Sequence, residues 1–391
     1  MDSSTSVKAS VLYAARDIRV TPRTLPPPSP GEVQVSILST GLCGSDLHYF
    51  THFRNGDIPV LEPFSLGHES NARVVALGPD VVDLQVGDLV ALEVGLPCGT
   101  CDRCLEGRYN ICQGIRFRSS AKAFPHPQGT LQERINHPAK WCHKLPPDTP
   151  PELGALIEPL SVAIHAHTRA STNLSSTPVL IMGAGPVGLL CAAVSKVHGA
   201  FPVIIADIQR RRLDFALEHG FADAVVEVPR MDAGQAALVE GRLAFAREVA
   251  ERVKGVEVSG RKVGEVGVCF EGTGVEGSLQ TAIYATRPGG KIMLIGMGNP
   301  VQTLPISAAH LREVDLIGVF RYANAYPKAI QLIAESPKEM PDLRALVTHR
   351  FRGIDSTPEA FAMAARVEDD EGKLVMKVFV DVDDDERGST S

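Results

Sequence analysis

The sequence predicts an α/β protein in which a β-rich, barrel-like region precedes a doubly wound parallel sheet. Up to about residue 160, short β runs such as VQVSILST, NARVVALG and GDLVALEV are separated by Gly and Pro. That spacing is typical of a barrel with tight turns. Beyond residue 160, short apolar strands alternate with helix-compatible stretches. This alternation indicates βαβ units and a parallel sheet covered on both faces.

The second region supplies most of the individual element predictions. Its strands lie in TPVLIMGAGPVGLL, FPVIIAD, ADAVVEV, EVGVCFEGTG and GGKIMLIGMG. Helices are predicted over Gln209–Glu218 and Val275–Thr286, and the segment Arg230–Lys254 predicts one amphipathic helix on the flank of the sheet. Leu374–Val380 returns to a strand-like pattern, and the acidic tail DVDDDERGSTS predicts disorder.

Composition and charge exclude several classes of function. The chain has 391 residues, 44% of them hydrophobic and 22% charged, which is typical of a globular protein. A net charge of −7 argues against a nucleic-acid partner. The start MDSSTSVKAS lacks the apolar core of a signal peptide, and glycines interrupt the uncharged stretch Ala170–Ser195, which excludes a membrane helix. We therefore expect a cytoplasmic protein whose eight cysteines are thiols or metal ligands.

A nucleotide-binding turn follows the apolar strand Val179–Met182. Gly183, Gly185 and Gly188 form a G-x-G-x-x-G motif directly before the helix-compatible run LLCAAVSKV. In this context the first glycine permits a tight turn, the second lets a pyrophosphate approach the backbone, and the third lets helix and strand pack closely. The free N–H groups at the helix start then attract the phosphates. Without that context, such glycines can be purely structural.

The next strand ends in Asp207, 19 residues beyond Gly188. A carboxylate there accepts hydrogen bonds from the ribose hydroxyls of NAD and repels the 2′-phosphate of NADP. The nearby Arg212 weakens this preference, because an arginine accommodates that phosphate. Asp207 as a simple helix N-cap is the alternative. The sequence predicts NAD in preference to NADP.

Four cysteines predict a structural zinc site. Cys98, Cys101, Cys104 and Cys112 have the spacing C-x2-C-x2-C-x7-C within a Gly- and Pro-rich loop. Four thiolates complete a tetrahedral shell around one Zn²⁺ and leave no position for a substrate. Four unrelated reduced thiols are the alternative.

A second zinc site is predicted from residues that are distant in sequence. Cys43 lies in GLCGSDLHYF, His68 and Glu69 lie in LGHES, and Glu158 lies in ALIEPLSVAIH. Singly, each is an ordinary buried or surface residue. Together they offer sulfur, nitrogen and carboxylate ligands and leave a position for water or substrate, as a catalytic zinc requires.

These motifs resemble the zinc-containing medium-chain dehydrogenases, and among them the sorbitol and xylitol dehydrogenases. The resemblance covers almost the whole chain through GLCGSDLHYF, LGHE, the four-cysteine lobe, GALIEPLSVAIHA, GAGPVG, GGKIMLIGMG and REVDLIGVFRY. It implies a GroES-like β-barrel catalytic domain built from both ends of the chain, with an inserted Rossmann domain. The corresponding expected boundaries are 1–160, 161–319 and 320–391, the last including the acidic tail.

The resemblance also assigns roles to individual positions. It implies that Cys43, His68 and Glu69 bind the catalytic zinc, that Glu158 binds the zinc or its water, and that Asp46 orients the ligand histidine. Ser45 and His48 match groups of the proton relay, and Glu158 is counted with them as a catalytic residue. The substrate pocket is matched by Tyr49, Phe117, Glu158, Arg321 and Tyr322. The NAD site is matched by Val187, Asp207, Arg212, Ile295, Gly296, Met297, Val319, Phe320 and Arg321.

The implied function is a homotetrameric, zinc-dependent and NAD-linked polyol dehydrogenase that oxidises a secondary hydroxyl of sorbitol or xylitol to the ketose. Two departures from the family pattern bear on it. The coenzyme domain is longer between Val228 and Gly264, and Ile58 stands where sorbitol-active members often carry an aromatic residue. Substrates such as L-arabinitol, galactitol, L-threonine or a simple alcohol remain alternatives. A non-catalytic nucleotide- or zinc-binding protein is the distant one.

Overall fold

The computed structural model describes residues 4–382, which form two compact units. The first unit contains residues up to 158 together with 326–335 and the segment from 344 onward, and the second contains 159–325 and 336–343. Most of the acidic tail predicted to be disordered, residues 383–391, lies outside the described residues. Among the described helices, none is both long enough and apolar enough to cross a membrane.

The elements follow in chain order. The strands are β1 (Thr5–Ala14), β2 (Asp17–Leu25), β3 (Glu32–Gly41), β4 (Arg54–Asn55), β5 (Ile58–Pro59), β6 (Phe64–Ser65), β7 (Glu69–Leu77), β8 (Leu89–Leu92), β9 (Gly95–Leu96), β10 (Arg116–Phe117), β11 (Arg134–Pro138), β12 (Cys142–Lys144), β13 (Val179–Met182), β14 (Val203–Asp207), β15 (Ala224–Glu227), β16 (Glu257–Val258), β17 (Arg261–Lys262), β18 (Val266–Glu271), β19 (Thr286–Leu294), β20 (Asp315–Gly318), β21 (Val347–Arg352) and β22 (Lys377–Asp381). The helices are α1 (Gly44–His52), α2 (Asp102–Leu105), α3 (Pro151–Ala170), α4 (Pro186–Val197), α5 (Arg210–Glu218), α6 (Ala233–Ala237), α7 (Val239–Lys254), α8 (Glu276–Ala285), α9 (Ile306–His310), α10 (Tyr326–Glu335) and α11 (Thr357–Ala364).

The first unit is built on a seven-stranded sheet in the order β12-β8-β7-β3-β22-β21, with β11 also paired to β3. A three-stranded sheet, β2-β1-β6, accompanies it. Because β22 comes from the end of the chain and pairs with β3, both ends of the sequence build this unit. The central strand β3 alternates Val33, Val35 and Ile37 into the core, all fully buried.

The second unit contains the predicted parallel sheet, in the order β15-β14-β13-β18-β19-β20. All five strand pairings are parallel. Every residue of β13 and β18 is buried, as expected for strands covered by helices on both faces. The strand order reverses between β13 and β18, and in open sheets ligands bind at such a switch point, beyond the carboxyl ends of the strands.

The single helix predicted over Arg230–Lys254 is wrong, because two helices occupy this segment. Leu238 has an extended backbone (φ −110, ψ 140) that separates α6 from α7. The side chain of Asp232 accepts a hydrogen bond from the Gln235 backbone N–H and so starts α6 separately. The longer helix α7 has the predicted amphipathic character, and it is tied to α8 by an ion pair between Arg242 and Glu276 at 3.0 Å.

Candidate metal centre and coenzyme site

Strand register brings the candidate catalytic ligands together. Gly41 at the end of β3 pairs with Glu69 at the start of β7. Cys43 lies two residues beyond Gly41, and His68 directly precedes Glu69. The ligand atoms of Cys43, His68 and Glu69 consequently lie within 4.8 Å of one another, with His68 and Glu69 buried. One sulfur, one nitrogen and one carboxylate in this arrangement are a donor set suited to Zn²⁺.

Asp46 connects the two segments that carry these residues. Its fully buried carboxylate accepts hydrogen bonds from the backbone N–H groups of Cys43 (3.1 Å) and Gly67 (3.2 Å). It also faces Nδ1 of His68 at 3.3 Å, which leaves Nε2 as the ring nitrogen available to a metal. Burial raises the pKa of Asp46, but His68, Ser119 and Cys43 together outweigh it and hold that pKa below its usual value.

Lys377 lies beside this cluster and was not predicted from the sequence. The residue begins β22, is buried, contacts the Glu69 carboxylate through Nζ and donates to the Leu42 carbonyl at 3.0 Å. Burial lowers its pKa, but the charges of Glu69 and Cys43 reverse the shift, so the pKa is raised. A lysine within the apolar run KLVMKVFV was the available signal.

The other residues predicted for the relay, the substrate pocket and the zinc site of this unit differ in burial and in contacts. Ser45 is half-buried and His48 exposed, both on α1. Tyr49 is buried, and its hydroxyl accepts from the Ala121 N–H at 3.1 Å. Phe117 packs edge-on against His68 with ring centroids 5.7 Å apart. Glu158 is buried but is not part of the three-residue cluster; its charge contributes to the raised pKa of Lys377.

The four lobe cysteines also form a cluster. Their sulfurs lie within 4.8 Å of one another, with Cys101 3.5 Å from Cys104, Cys112 3.5 Å from Cys98, and Cys98 3.9 Å from Cys104. A tetrahedral Zn²⁺ with ligand bonds of about 2.3 Å requires sulfurs about 3.8 Å apart. The four thiols therefore have a spacing that fits one zinc ion.

Two cysteines of this lobe have pKa values shifted in opposite directions. Backbone N–H groups of Thr100 and Cys101 lower the pKa of Cys98 to about 6. Desolvation and the neighbouring thiol of Cys101 raise the pKa of Cys104 to about 12. Ligation requires all four sulfurs as thiolates, and a divalent cation at the centre of the cluster would stabilise all four, including that of Cys104.

In the second unit, the glycine turn has the geometry that the motif requires. Gly183 has φ +101, which favours glycine. A Cβ at Gly188 would lie 2.0 Å from the Gly183 carbonyl oxygen, so helix α4 and the turn are in backbone contact. A Cβ at Gly185 would meet nothing within 4 Å. The turn thus leaves open space at its second glycine, where a pyrophosphate approaches.

Asp207 lies at the end of β14 beside this turn. Its carboxylate accepts hydrogen bonds from the backbone N–H groups of Ala184 and Gln209, each at 2.7 Å. Nε of Arg212 is buried without a hydrogen-bond partner among the described residues. An acceptor at the strand end and a buried, unsatisfied guanidinium nitrogen are both suited to a ligand with hydroxyl and phosphate groups.

The remaining predicted coenzyme residues belong to the same unit. The turn after β19 contains Ile295, Gly296 and Met297, and the backbone N–H groups of Ile295 and Gly296 both donate to the Glu271 carbonyl at 2.9 Å. Val319 N donates to the Leu294 carbonyl at 2.9 Å. Arg321 has φ 52 and its guanidinium lies over Phe320, 4.8 Å from the ring centroid. Val187 is half-buried and Tyr322 is buried.

Comparison with known proteins identifies the family. Residues 29–147 match the Alcohol dehydrogenase GroES-like domain, and residues 186–335 match the Zinc-binding dehydrogenase domain. Sorbitol dehydrogenase of Gallus gallus is 39% identical over 92% of this chain and 94% of its own length. L-arabinitol 4-dehydrogenase of Aureobasidium melanogenum is 41% identical over 86% of this chain and 84% of its own. The chain belongs to the zinc-binding alcohol dehydrogenase family.

Solved structures agree with this family. L-idonate 5-dehydrogenase of Escherichia coli has a TM-score of 0.81 and 28% identity, covering 96% of this chain and 98% of its own. 2R,3R-butanediol dehydrogenase of Bacillus subtilis has a TM-score of 0.78 and 26% identity, covering 97% and 100%. The predicted family, the GroES-like and Rossmann fold class, and the class of enzyme, a zinc alcohol or polyol dehydrogenase, are confirmed.

Proposed function

We propose that this member of the zinc-binding alcohol dehydrogenase family is an NAD-dependent polyol dehydrogenase. It oxidises a secondary hydroxyl of sorbitol or xylitol to the ketose. The observation that carries the proposal is the cluster of Cys43 with the buried His68 and Glu69 in a chain 39% identical to a sorbitol dehydrogenase. Three protein ligands leave one position open, and an open position is what separates a catalytic zinc from a structural one.

The residues of the first unit have distinct tasks in this reaction. Cys43, His68 and Glu69 hold the metal, and Asp46 holds the His68 ring through Nδ1. When bound there, zinc supplies Lewis acidity to a substrate hydroxyl. Lys377 holds the Glu69 carboxylate beside the cluster, because its buried ammonium contacts that carboxylate and is itself anchored on the Leu42 carbonyl.

The proton released from the hydroxyl leaves along α1. Ser45 is half-buried in its first turn, and the exposed His48 lies three residues later. Residues three apart share a face of a helix, so we assign these two side chains to a relay towards solvent. Glu158, which lies outside the three-residue cluster, is assigned to bind the zinc through a water molecule.

Substrate recognition is assigned to four residues. Tyr49 and Phe117 are assigned to the apolar side of the pocket, and the Phe117 ring packs edge-on against the His68 ring. Arg321 and Tyr322 bind the remaining hydroxyls of the polyol. A site built to hydrogen-bond those hydroxyls discriminates strongly against simple alcohols that lack them.

For the coenzyme, the Gly183–Gly188 turn receives the pyrophosphate and Asp207 the adenosine ribose. Asp207 supports NAD in preference to NADP, because a carboxylate repels the 2′-phosphate. The nicotinamide side of the site is completed by Ile295, Gly296, Met297, Val319 and Phe320.

The proposal also covers metal content, assembly and location. The protein holds two zinc ions per chain, one in each cluster, and works as a homotetramer in the cytoplasm, where thiols stay reduced. We propose a catalytic domain over residues 1–160 and 320–391, with the Rossmann domain over residues 161–319.

L-arabinitol is the second candidate substrate. An L-arabinitol 4-dehydrogenase is 41% identical to this chain, which is as similar as the sorbitol enzymes. Ile58, in the short strand β5, is the position where the sequence departs from the sorbitol-active pattern.

The test is NADH formation by the purified protein across a panel of sorbitol, xylitol, L-arabinitol, galactitol and a simple secondary alcohol. Sorbitol or xylitol is expected to have the highest kcat/KM. The simple alcohol should fall at least about a hundredfold below them, because its oxidation leaves the polar groups of the site unpaired. Highest activity with L-arabinitol would support the second candidate, and equal activity with the simple alcohol would contradict both.

A further inference from the structure

Ser119 lies against the candidate catalytic metal centre although no motif points to it. The residue is buried, and its hydroxyl donates to Oδ1 of Asp46 at 2.6 Å. Asp46 is the carboxylate that binds the Cys43 N–H and the Gly67 N–H and faces His68. Ser119 therefore donates a side-chain hydrogen bond to the Asp46 carboxylate, whose other contacts are with the segments that carry the candidate metal ligands.

The backbone of Ser119 is unusual for its residue type. Its φ is 60, in the left-handed region that residues other than glycine seldom adopt. Backbone outliers of this kind persist where the surroundings over-determine them, and they concentrate at functional sites.

The surroundings of Ser119 do over-determine it. Its own N–H donates to the Pro127 carbonyl at 3.1 Å. On one side, the guanidinium of Arg118 donates to the carbonyls of Gln128 (2.9 Å) and Asn136 (2.6 Å). On the other, the Ala121 N–H donates to the hydroxyl of Tyr49 at 3.1 Å. The left-handed turn is thus held from three directions, with the hydroxyl directed at Asp46.

We propose that Ser119 is a positioning residue for the catalytic metal centre: by donating to Asp46 it fixes the carboxylate that orients His68, and so sets how tightly the Cys43–His68–Glu69 cluster binds zinc. This inference rests on the proposed function, because it assumes that this cluster binds the catalytic metal. Outer partners of a ligating histidine contribute about ten- to a hundredfold in metal affinity when they are removed. Ser119 acts through Asp46, so the lower end of that range applies.

Two substitutions separate the hydroxyl from the backbone strain. Ser119→Ala removes the hydroxyl and keeps the strained conformation, whereas Ser119→Gly removes both. If the hydroxyl positions the centre, both variants bind zinc about tenfold more weakly at this site. A purely structural serine would instead make the two variants differ in melting temperature while zinc affinity stayed unchanged. Ser120→Ala is the matched control, because this neighbouring serine is also buried and its hydroxyl accepts a hydrogen bond from Lys122 N at 3.4 Å.

The experiment is competition for zinc by chelators of graded strength, with the metal remaining on the purified full chain counted at each step. Two release phases are expected, and the phase that is missing in His68→Ala belongs to the Cys43 site. In both Ser119 variants this phase should shift about tenfold towards weaker binding, while the four-cysteine phase stays in place. The visible spectrum of Co²⁺ substituted into the site should change in the same variants and not in Ser120→Ala.

The outcomes distinguish this inference from the function on which it rests. An unchanged zinc affinity and Co²⁺ spectrum in both Ser119 variants, beside two phases in the unmodified chain, would overturn the role of Ser119 alone. A chain that holds no zinc sensitive to His68→Ala would overturn the proposed metal centre and this inference together.

Discussion

Asp207 supports the glycine turn and is also assigned to coenzyme selection, so a substitution that tests the second role must preserve the first. Its carboxylate supports the glycine turn through the Ala184 N–H, and it is the group assigned to exclude NADP. Asp207→Asn removes the negative charge and keeps an oxygen that accepts from Ala184. The carboxylate is readable from the sequence because it follows a buried strand at a known distance from the turn; its contact with Ala184 is not.

For coenzyme preference, we predict that Asp207→Asn or Asp207→Ser raises use of NADP relative to NAD at least about tenfold, roughly 1.4 kcal/mol. The like-charge repulsion is lost, and Arg212 is available to pair with the 2′-phosphate. The ratio of kcat/KM for the two coenzymes measures the change. An unchanged ratio in both variants would remove Asp207 from coenzyme selection.

Other single residues have contacts or backbone conformations that cannot be predicted from the sequence, because residues distant along the chain determine them. Lys377 is separated from Glu69 by most of the chain, and the pairing of β22 with β3 and of β3 with β7 brings the two residues together. The left-handed φ of Ser119 follows from contacts on three sides, none of which is local in sequence. Cys43, His68 and Glu69 were grouped with Glu158 by their donor chemistry and then matched to zinc ligands through the family resemblance; their proximity depends on strand register, which the sequence does not give.

Among the elements, those whose signals are local were predicted best. Strand β13, the glycine turn and α4 follow one another within a single short motif, and the parallel strands around them are continuous apolar runs. The break between α6 and α7 was missed because helical periodicity continues through Leu238 on both sides. The backbone contact of Gly241 with Gln235, where a Cβ would lie 2.4 Å from the carbonyl oxygen, accompanies that break.

The glycine turn allows a paired prediction at the scale of the element. Gly185→Ala should leave the free energy of unfolding within about 0.5 kcal/mol and weaken coenzyme binding about tenfold, because its Cβ projects into open space where the pyrophosphate lies. Gly188→Ala should destabilise the protein by about 1–3 kcal/mol, since its Cβ would meet the Gly183 carbonyl oxygen at 2.0 Å.

Denaturant unfolding and NADH titration measure the two effects. Equal destabilisation by both substitutions, with unchanged NADH affinity in Gly185→Ala, would show that the turn is structural only.

At the scale of the whole molecule, we expect one candidate metal cluster to serve catalysis and the other to stabilise the fold. The four cysteines lie in a lobe with little regular structure around them, only the four-residue α2 and a three-residue 3-10 helix. The catalytic cluster instead joins strands that the β3–β7 pairing already places together. We therefore expect metal at the first site to contribute to folding and metal at the second to contribute to activity.

Cys101→Ser should accordingly lower thermal stability first, with activity falling as a consequence. One ligand of a closed shell is lost, and the binding energy of that shell is part of folding. Thermal melting and zinc content per chain, with Cys191→Ser as a buried but non-clustered thiol for comparison, check this expectation. A Cys101→Ser chain that melted as the unmodified protein does, yet had lost activity, would contradict the structural assignment.

The most direct test of the central claim is His68→Ala, assayed on one preparation for zinc per chain, NADH affinity and turnover of sorbitol or xylitol. We predict one zinc per chain in place of two, retained NADH binding because Asp207 and the glycine turn belong to the other unit, and turnover reduced at least about a thousandfold, some 4 kcal/mol in the barrier. A variant that kept both zinc ions, bound NADH and oxidised the polyol at close to the unmodified rate would contradict the account of a zinc-dependent polyol dehydrogenase.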